Sequence, residues 1–245
     1  MKPTSPETFE NEITQNWASH FRCSVTAVQE NGTTLLPEDK YLGDKVVALW
    51  YIGKHTFVQL DPSYISQLES VLDELPKDTS LTGDDLRQRW GVAAIKSYDS
   101  GLIYYQYSPE LPDYMPVAPF VLRQLTLTDK EAMEDLHTAN TSADVEEGFV
   151  EVTHEVAFGC FLNNQLVAAA SGYYRTGFMD IGVLSHPGFR QRGLSKAVVG
   201  MLCEWSINHG VIAQYRCNVV NSSSRALARA LNFRLYFKSE GLWLN

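Results

Sequence analysis

The chain has 245 residues, 44% hydrophobic and 20% charged, with a net charge of −9 at pH 7. These values are ordinary for a globular protein and allow one large domain or two small ones. The acidic charge argues against a nucleic-acid partner or an anionic membrane, because both need a broad basic face, whereas it is compatible with amines.

The start of the chain, "MKPTSPETFENEITQNW", lacks the apolar core of a signal peptide. No stretch approaches the ~18 apolar residues that a membrane helix needs. The four cysteines are scattered without metal-ligand spacing. We therefore predict a cytoplasmic protein with reduced thiols and no metal. Its oligomeric state stays open, with a homodimer as one option.

The N-terminal half predicts mixed helices and strands. Helices are expected at residues 7–21 and 61–75, the second with Pro62 in its first turn. Residues 45–60 predict a hairpin that turns at Gly53–Lys54, and residues 91–107 predict a hairpin that turns at Asp99–Gly101. No motif in this half indicates a chemical activity.

A proline-rich stretch from Ser108 to Pro119 separates the two halves. Proline removes backbone donors and fixes φ, so this stretch predicts an extended connector. We place the domain boundary there, with one domain at residues 1–115 and another at 116–245. The alternative is a proline-rich loop within a single domain.

The C-terminal half has a regular pattern of alternating strands and helices. Its predicted elements are a strand at 120–125, a helix capped by Thr128 and Glu131, a hairpin turning at Asn163–Asn164, a strand at 178–185, a helix ending at Gly210, a strand at 211–217, a short helix at 222–231 and two final strands. The predicted fold class is therefore α/β, in the mixed α+β sense.

The segment "HPGFRQRGLS" lies between a predicted strand and the long helix. The first N–H groups of a helix have no backbone partner, and the helix dipole adds partial positive charge there. Gly193 permits close approach to the backbone, while Arg190 and Arg192 add full charges at the rim. The segment predicts a phosphate or pyrophosphate site. The alternative is a basic loop that caps an unrelated helix.

"RQRGLS", Arg190–Ser195, resembles the Arg/Gln-x-x-Gly-x-Gly/Ala signature of the GNAT acyltransferases, which use acyl-coenzyme A. Ser195 stands where the family usually has glycine or alanine. "NSSSRALARALNF", Asn221–Phe233, is similar to the family's second motif, with Asn232 in place of the usual glycine. Asparagine is the next-best residue for a left-handed position after a helix. The resemblance covers the C-terminal half and says nothing about residues 1–115.

The resemblance implies a mixed, mostly antiparallel sheet flanked by helices, with acetyl-CoA as co-substrate. The backbone N–H groups of Gln191–Ser195 would hold the pyrophosphate, and Asn221 would hydrogen-bond the pantetheine arm. The cofactor-binding residues expected on this basis are Val183, Leu184, Ser185, Arg190, Gln191, Arg192, Gly193, Leu194, Ser195, Asn221 and Ser224.

Amide formation needs a base to take a proton from the amine. Asp180 lies ten residues before Arg190, where some family members carry a catalytic glutamate, and its apolar neighbours would make it more basic. The alternative is that Asp180 points to solvent or pairs with an arginine. The reserve candidates are Glu151, His154 and Glu155.

The family often uses a tyrosine in the second motif to protonate the leaving thiolate. Ala228 occupies that position. Water or another tyrosine would have to replace it, and the tyrosines considered are Tyr173, Tyr174 and Tyr236.

The resulting hypothesis is an N-acetyltransferase that acylates a primary amine of a small or amino-acid-like acceptor. The N-terminal domain would shape the acceptor pocket. The missing tyrosine motivates an alternative, a non-catalytic acyl-CoA sensor or scaffold. A protein-modifying acetyltransferase is a third option.

Overall fold

The computed structural model describes residues 6–106, 110–116 and 118–245. Their contacts divide into two compact units. We call Ser5–Ile103, Cys217–Val220 and Leu235–Asn245 the N-terminal unit, and Tyr104–Arg216 with Asn221–Arg234 the C-terminal unit. The division differs from a single boundary after residue 115, because the end of the chain contributes a strand to the N-terminal unit.

The N-terminal unit begins with a helix and continues through strands and two further helices. Its elements are α1 (Pro6–His20), β1 (Gly32–Pro37), β2 (Val46–Ile52), β3 (His55–Leu60), α2 (Ile65–Glu74), α3 (Gly83–Trp90) and β4 (Ile95–Gln106), which enters the C-terminal unit at Tyr104.

The core of the N-terminal unit lies on both faces of a small sheet. β1 is parallel to β3, and β3 is antiparallel to β2. Alternate side chains of β2 point to opposite faces. Leu49 packs in an aliphatic cluster with Leu68 of α2 and Leu86 of α3, while Trp50 contacts Trp17 of α1.

One predicted hairpin of this unit is confirmed and the other is wrong. Gly53 has a φ of 62° in the turn between β2 and β3, as a tight hairpin requires. Asp99–Gly101 instead continues β4 without a turn. The Ser100 carbonyl accepts a hydrogen bond from the Val219 N–H, so a pairing distant in sequence holds this segment extended.

The C-terminal unit contains a sheet with helices on both faces. Its elements are β5 (Val121–Gln124), α4 (Lys130–Thr138), α5 (Ser142–Gly148), β6 (Val156–Leu162), β7 (Gln165–Arg175), β8 (Phe178–Ser185), α6 (Leu194–His209), β9 (Ala213–Asn218), α7 (Ser222–Ala230) and β10 (Phe233–Leu244). β9 and β10 both continue into the N-terminal unit, where β10 pairs antiparallel with β2. The two final strands predicted from the sequence are therefore one.

The sheet of the C-terminal unit is mixed and mostly antiparallel, as the resemblance implied. β5, β6, β7 and β8 pair antiparallel in that order, and β9 pairs parallel with β8. Ala169 of β7 faces a cluster that includes Met133 of α4, whereas Gly172 faces Leu202 of α6. The helices therefore cover opposite faces of the sheet.

The proline-rich connector lies along α6 where the structure describes it. Ser108, Pro109 and Val117 of this stretch lie outside the described residues. Tyr114 packs on Gly200, where an added Cβ would lie 2.3 Å from the Tyr114 Cγ, and its hydroxyl donates to Glu204. The described connector residues are thus part of the C-terminal unit.

The local signals of the C-terminal half are largely confirmed. Asn163 and Asn164 have φ values of 49° and 67° in the β6–β7 turn, and Asn232 has a φ of 60° after α7. The predicted cap of α4 is wrong, because the capping box joins Thr126 and Asp129. Arg123 binds the buried Asp129 carboxylate and fixes this earlier start. Among the described residues, no helix has the length and apolar character needed to cross a membrane.

Candidate active site

A cavity opens in the C-terminal unit where β8 and β9 separate. The two strands pair only from Met179 with Ala213 to Ile181 with Tyr215, although both strands continue beyond these residues. The cavity has a volume of about 590 Å³. Its lining includes Ile181 and Tyr215 at the end of the paired segment, together with residues of α5, α6 and α7. Beyond Ile181, β8 pairs only with β7, and its edge toward β9 can bind an extended ligand.

The loop before α6 forms one end of this cavity. Gln191 and Gly193 have φ values of 63° and 75°, so the backbone turns sharply just before the helix. In the part of the chain that the structure describes, the N–H groups of Gln191–Ser195 donate to no backbone carbonyl. Apart from Gly193 and its two chain neighbours, no described residue has an atom within 4 Å of the place where a Gly193 Cβ would stand. We call this loop the phosphate end of the cavity, because such a cluster of N–H groups favours an anion.

The two arginines of the loop have different surroundings. Arg190 lines the cavity and donates to Asp144 at 3.2 Å and to Asn140 at 2.8 Å. Its guanidinium helps to lower the pKa of Asp144, after the larger effect of the Thr141 hydroxyl. Arg192 is exposed and lies over the Phe189 ring rather than along the cavity.

Three polar residues expected to hold the cofactor, Ser185, Ser195 and Asn221, have protein partners. The Asn221 Oδ1 caps α7 by accepting from the Ser224 N–H at 2.9 Å, and its Nδ2 donates to Glu147 at 2.7 Å. The Ser185 and Ser195 hydroxyls lie 2.7 Å apart. Asn221 is therefore at the cavity surface, but a bond to pantetheine would have to compete with Glu147.

The opposite end of the cavity carries the ion pair of Arg216 with the buried Asp180, and we call it the acyl end. Asp180 is only 2% exposed, and its Oδ2 accepts from Arg216 Nε at 2.8 Å and Nη2 at 2.5 Å. The Tyr173 hydroxyl donates to the same oxygen at 2.9 Å. Burial is the main cause of the raised pKa of Tyr173. The sequence left two alternatives to a catalytic role for Asp180, exposure to solvent and pairing with an arginine. The structure shows the pairing with an arginine.

The reserve bases lie on the approach to β6. The Ser171 hydroxyl is 2.8 Å from His154 Nδ1 and accepts from the Glu151 N–H at 3.0 Å. Burial lowers the pKa of His154, so its ring is neutral at physiological pH. The His154 ring is 5.0 Å from that of Tyr173, which connects it to the acyl end. Glu155 is exposed.

The three tyrosines considered as proton donors differ in their surroundings. Ala228 is fully buried, and Tyr174 is 54% exposed. Tyr236 belongs to the N-terminal unit, where its hydroxyl bonds Thr14. Tyr173 is the candidate that contacts the acyl end.

Most of the expected cofactor residues are brought together around one cavity. Those that line it are Val183, Leu184, Ser185, Arg190, Gln191, Gly193, Leu194, Ser195, Asn221 and Ser224. Arg216, which also lines it, was missed by the sequence analysis because its partners come from β7 and β8. No local pattern signals such a contact.

A family model for the GNAT acetyltransferases matches residues 107–240, more than half of the chain. The protein belongs to the GNAT acetyltransferase family. It is therefore an acyltransferase of a family that uses acyl-CoA as donor.

Solved structures support the same fold. A GCN5-related N-acetyltransferase-like protein from Streptococcus suis is 17% identical, with a TM-score of 0.52, and the match covers 84% of this chain and 87% of that one. A GNAT-family acetyltransferase from Colwellia psychrerythraea is 14% identical, with a TM-score of 0.52 and coverage of 77% and 76%. A GCN5-related N-acetyltransferase from Sphaerobacter thermophilus is 12% identical, with a TM-score of 0.54 and coverage of 76% and 71%. No curated protein matches the sequence significantly.

Proposed function

We propose that this acyltransferase transfers an acetyl group from acetyl-CoA to a primary amine of a small or amino-acid-like acceptor. The amine attacks the thioester directly, and a base on the enzyme removes its proton. A cytoplasmic location is part of the same proposal.

The observation that carries the proposal is the cavity between β8 and β9. Its phosphate end offers the N–H groups of Gln191–Ser195, and its wall offers Val183–Ser185, which pair with β7 on one edge and not with β9 on the other. A pyrophosphate at the first site and an extended pantetheine arm at the second would direct the thioester to the acyl end. This fit supports coenzyme A more specifically than a free phosphate.

Charge supports an amine as the acceptor. The chain carries a net charge of −9, and the charge of Glu151 acts on His154, whose ring lies 5.0 Å from that of Tyr173. A cationic amine is attracted to such a surface and can lose its proton there. The acceptor must be neutral when it attacks, so proton removal is the step that the enzyme has to assist.

We propose Asp180 as the proton acceptor. Its carboxylate is too buried for direct contact with a solvated amine, but the Tyr173 hydroxyl donates to it at 2.9 Å. The amine proton can pass to the Tyr173 oxygen while the phenolic proton moves to Asp180. The same phenol can later protonate the departing thiolate, which would compensate for Ala228. His154 is the alternative base, because its neutral ring lies against Tyr173.

The function is tested by incubating the full chain with acetyl-CoA and a panel of small amines and amino acids while free thiol is measured. We expect thiol release that depends on one class of primary amine, with the acetylated amine identified by mass spectrometry. Transfer only to a protein lysine would favour the protein-modifying alternative. Saturable binding of acetyl-CoA without turnover on either acceptor type would contradict the proposal.

The cofactor assignment is tested by Arg192→Glu. A charge-assisted phosphate contact contributes roughly 1.5–3 kcal/mol, so we expect affinity for acetyl-CoA to fall by about 2 kcal/mol, or ~30-fold. Arg229→Glu is the matched control, because Arg229 is also exposed but lies on α7, outside the Gln191–Ser195 loop that contains Arg192. Calorimetry that finds equal affinity in both variants would remove Arg192 from the pyrophosphate site.

A further inference from the structure

Arg216 occupies the point at which β8 and β9 separate. It directly follows Tyr215, the last residue of β9 that pairs with β8, and it lines the cavity. A ligand that runs along the part of β8 that does not pair with β9 ends near this point. An arginine there is a charged group at the end of the cavity opposite to the phosphate end.

The guanidinium of Arg216 is held in one orientation by two neighbouring strands. Its Nε and Nη2 donate to Asp180 on β8, and Nη2 also lies 3.2 Å from the Tyr173 hydroxyl on β7. Among the described residues, no protein acceptor contacts Nη1. The side chain is 32% exposed, although its partner Asp180 is buried. The group therefore has a fixed position and unused donor capacity.

The positive charge of Arg216 is permanent. Burial by itself would lower the pKa of Arg216, but Asp180 and Tyr173 together outweigh this effect and raise it. A donor that is fixed in advance in a site of low dielectric stabilises developing charge without reorganisation. A group that stabilises a carbonyl oxygen as it becomes negative needs this permanent charge and a fixed position.

We propose that Arg216 is a catalytic residue that donates a hydrogen bond to the thioester carbonyl oxygen of acyl-CoA and stabilises the oxyanion formed on amine attack. This inference rests on the proposed function, since it concerns the same thioester. It assigns to Arg216 a role separate from proton removal.

Acyl transfer forms one C–N bond and breaks one C–S bond. The amine lone pair forms a C–N bond to the carbonyl carbon, and the C=O π electrons move to the oxygen next to Arg216. The oxyanion then collapses, the C–S bond breaks, and its electron pair leaves on the coenzyme A sulfur. The amine gives one proton to the base and the thiolate receives one, so the products are an amide and free coenzyme A.

Asp180 acts on this step as a positioning residue as well. While it is ionised it neutralises and orients Arg216. When it accepts the amine proton, the cation beside it loses its counter-charge and interacts more strongly with the nearby anion. Proton removal and oxyanion stabilisation would thus reinforce each other within one ion pair.

The first test uses acetyl-CoA labelled with ¹³C at the thioester carbonyl and needs no knowledge of the acceptor. We expect the C=O stretching band of the bound label to lie at lower frequency than in solution, because Arg216 polarises the bond. In Arg216→Lys and Arg216→Gln the shift should be much reduced, while calorimetry shows acetyl-CoA affinity within about threefold of the wild type, since the phosphate end is intact.

The second test compares turnover in Arg216→Lys and Arg123→Lys. Arg123 is a matched control, because it also lies on a strand of the C-terminal unit and binds a buried aspartate, Asp129, but it does not line the cavity. Loss of one oxyanion donor typically costs ~10²–10³-fold in kcat. We expect that loss, with little change in KM for acetyl-CoA, in Arg216→Lys only.

The outcomes separate this inference from the proposed function. If no acetyl-CoA binds to the wild type, the proposed function fails and the inference fails with it. If acetyl-CoA binds but the carbonyl band is the same in wild type and Arg216 variants, the inference fails alone. Arg216→Gln leaves the buried Asp180 without its counter-charge, so the Asp180→Asn/Arg216→Gln double variant, which removes both charges, is the second protein for the spectroscopic test. A carbonyl shift that persists in this double variant would also overturn the inference.

Discussion

The phosphate end of the cavity consists of main-chain groups, whereas the acyl end consists of side chains. The phosphate end is one continuous segment, Gln191–Ser195, and it presents main-chain N–H groups. The acyl end is an assembly of three side chains, Tyr173, Asp180 and Arg216, on three neighbouring strands. Under the proposed function, the first would bind a part of the co-substrate that does not change, and the second would face the bond that breaks.

This difference predicts different responses to mutation. A main-chain site depends on φ and ψ, so it is sensitive to residues that cannot adopt a left-handed conformation. A side-chain site depends on proton positions and charges, so even an isosteric replacement can abolish its chemistry. Variants at the phosphate end should therefore change affinity, and variants at the acyl end should change turnover.

Asp180→Asn should have the largest effect. The amide keeps the size of the carboxylate but is a far weaker proton acceptor, and general-base catalysis is typically worth ~10²–10⁴-fold in rate. Acetyl-CoA affinity should be nearly unchanged. The deficit should shrink as pH rises, because a larger fraction of the amine is then already neutral. A pH–rate profile of wild type and variant on one active amine measures this.

His154→Gln is the comparison for that profile. Burial lowers the pKa of His154, so its ring becomes protonated only on the acid side of neutrality. If His154 is the base, activity should therefore fall only in that pH range. If His154→Gln removes the acid limb and Asp180→Asn produces a deficit that does not vary with pH, then His154 is the base. Asp180 would in that case only orient Arg216 and Tyr173.

The phosphate end was predictable from the sequence because its determinants are local. A glycine, two arginines and a following amphipathic helix lie within one short segment, and the observed φ of Gly193 agrees with that pattern. The ion pair of Asp180 with Arg216 spans 36 residues of sequence. The pairing of β8 with β9 brings the two residues together. The sequence could therefore suggest that Asp180 has an arginine partner, but it could not identify Arg216.

The fold shows the same contrast between local and distant determinants. The turn at Asn163–Asn164 and the left-handed Asn232 were predicted from residue types, and the structure confirms them. Asp99–Gly101 has turn-forming residues but is held extended by Val219, which is far away in the sequence. α5 was missed because seven residues give too short a pattern to reveal a helix.

Gly193→Ala should have an intermediate effect, on affinity alone. An L-residue at a φ of 75° costs roughly 1–2 kcal/mol, and relief of that strain would turn the N–H groups away from the anion. We expect about a tenfold loss of acetyl-CoA affinity. Gly210→Ala is the matched control at the other end of α6, since Gly210 has a φ of 68° and equally open surroundings. Equal affinity in the two variants, measured by calorimetry, would show that loop geometry does not determine binding.

Asp144→Asn should have the smallest effect, and its direction is a gain. Asp144 lines the cavity and pairs with Arg190 at 3.2 Å, so its carboxylate competes with a phosphate for the same guanidinium. Exposed ion pairs typically contribute 0.2–1 kcal/mol, so we expect acetyl-CoA affinity to rise about two- to fivefold at low salt and less at high salt. Glu146→Gln removes the same charge from an exposed position of α5 that does not line the cavity, and it should give a smaller gain. Equal gains in the two variants would mean that affinity depends only on the overall negative charge of α5 and that Arg190 does not bind the phosphate. A loss of affinity in Asp144→Asn would instead mean that Asp144 positions Arg190 for binding, which would make the phosphate end as dependent on its side chains as the acyl end.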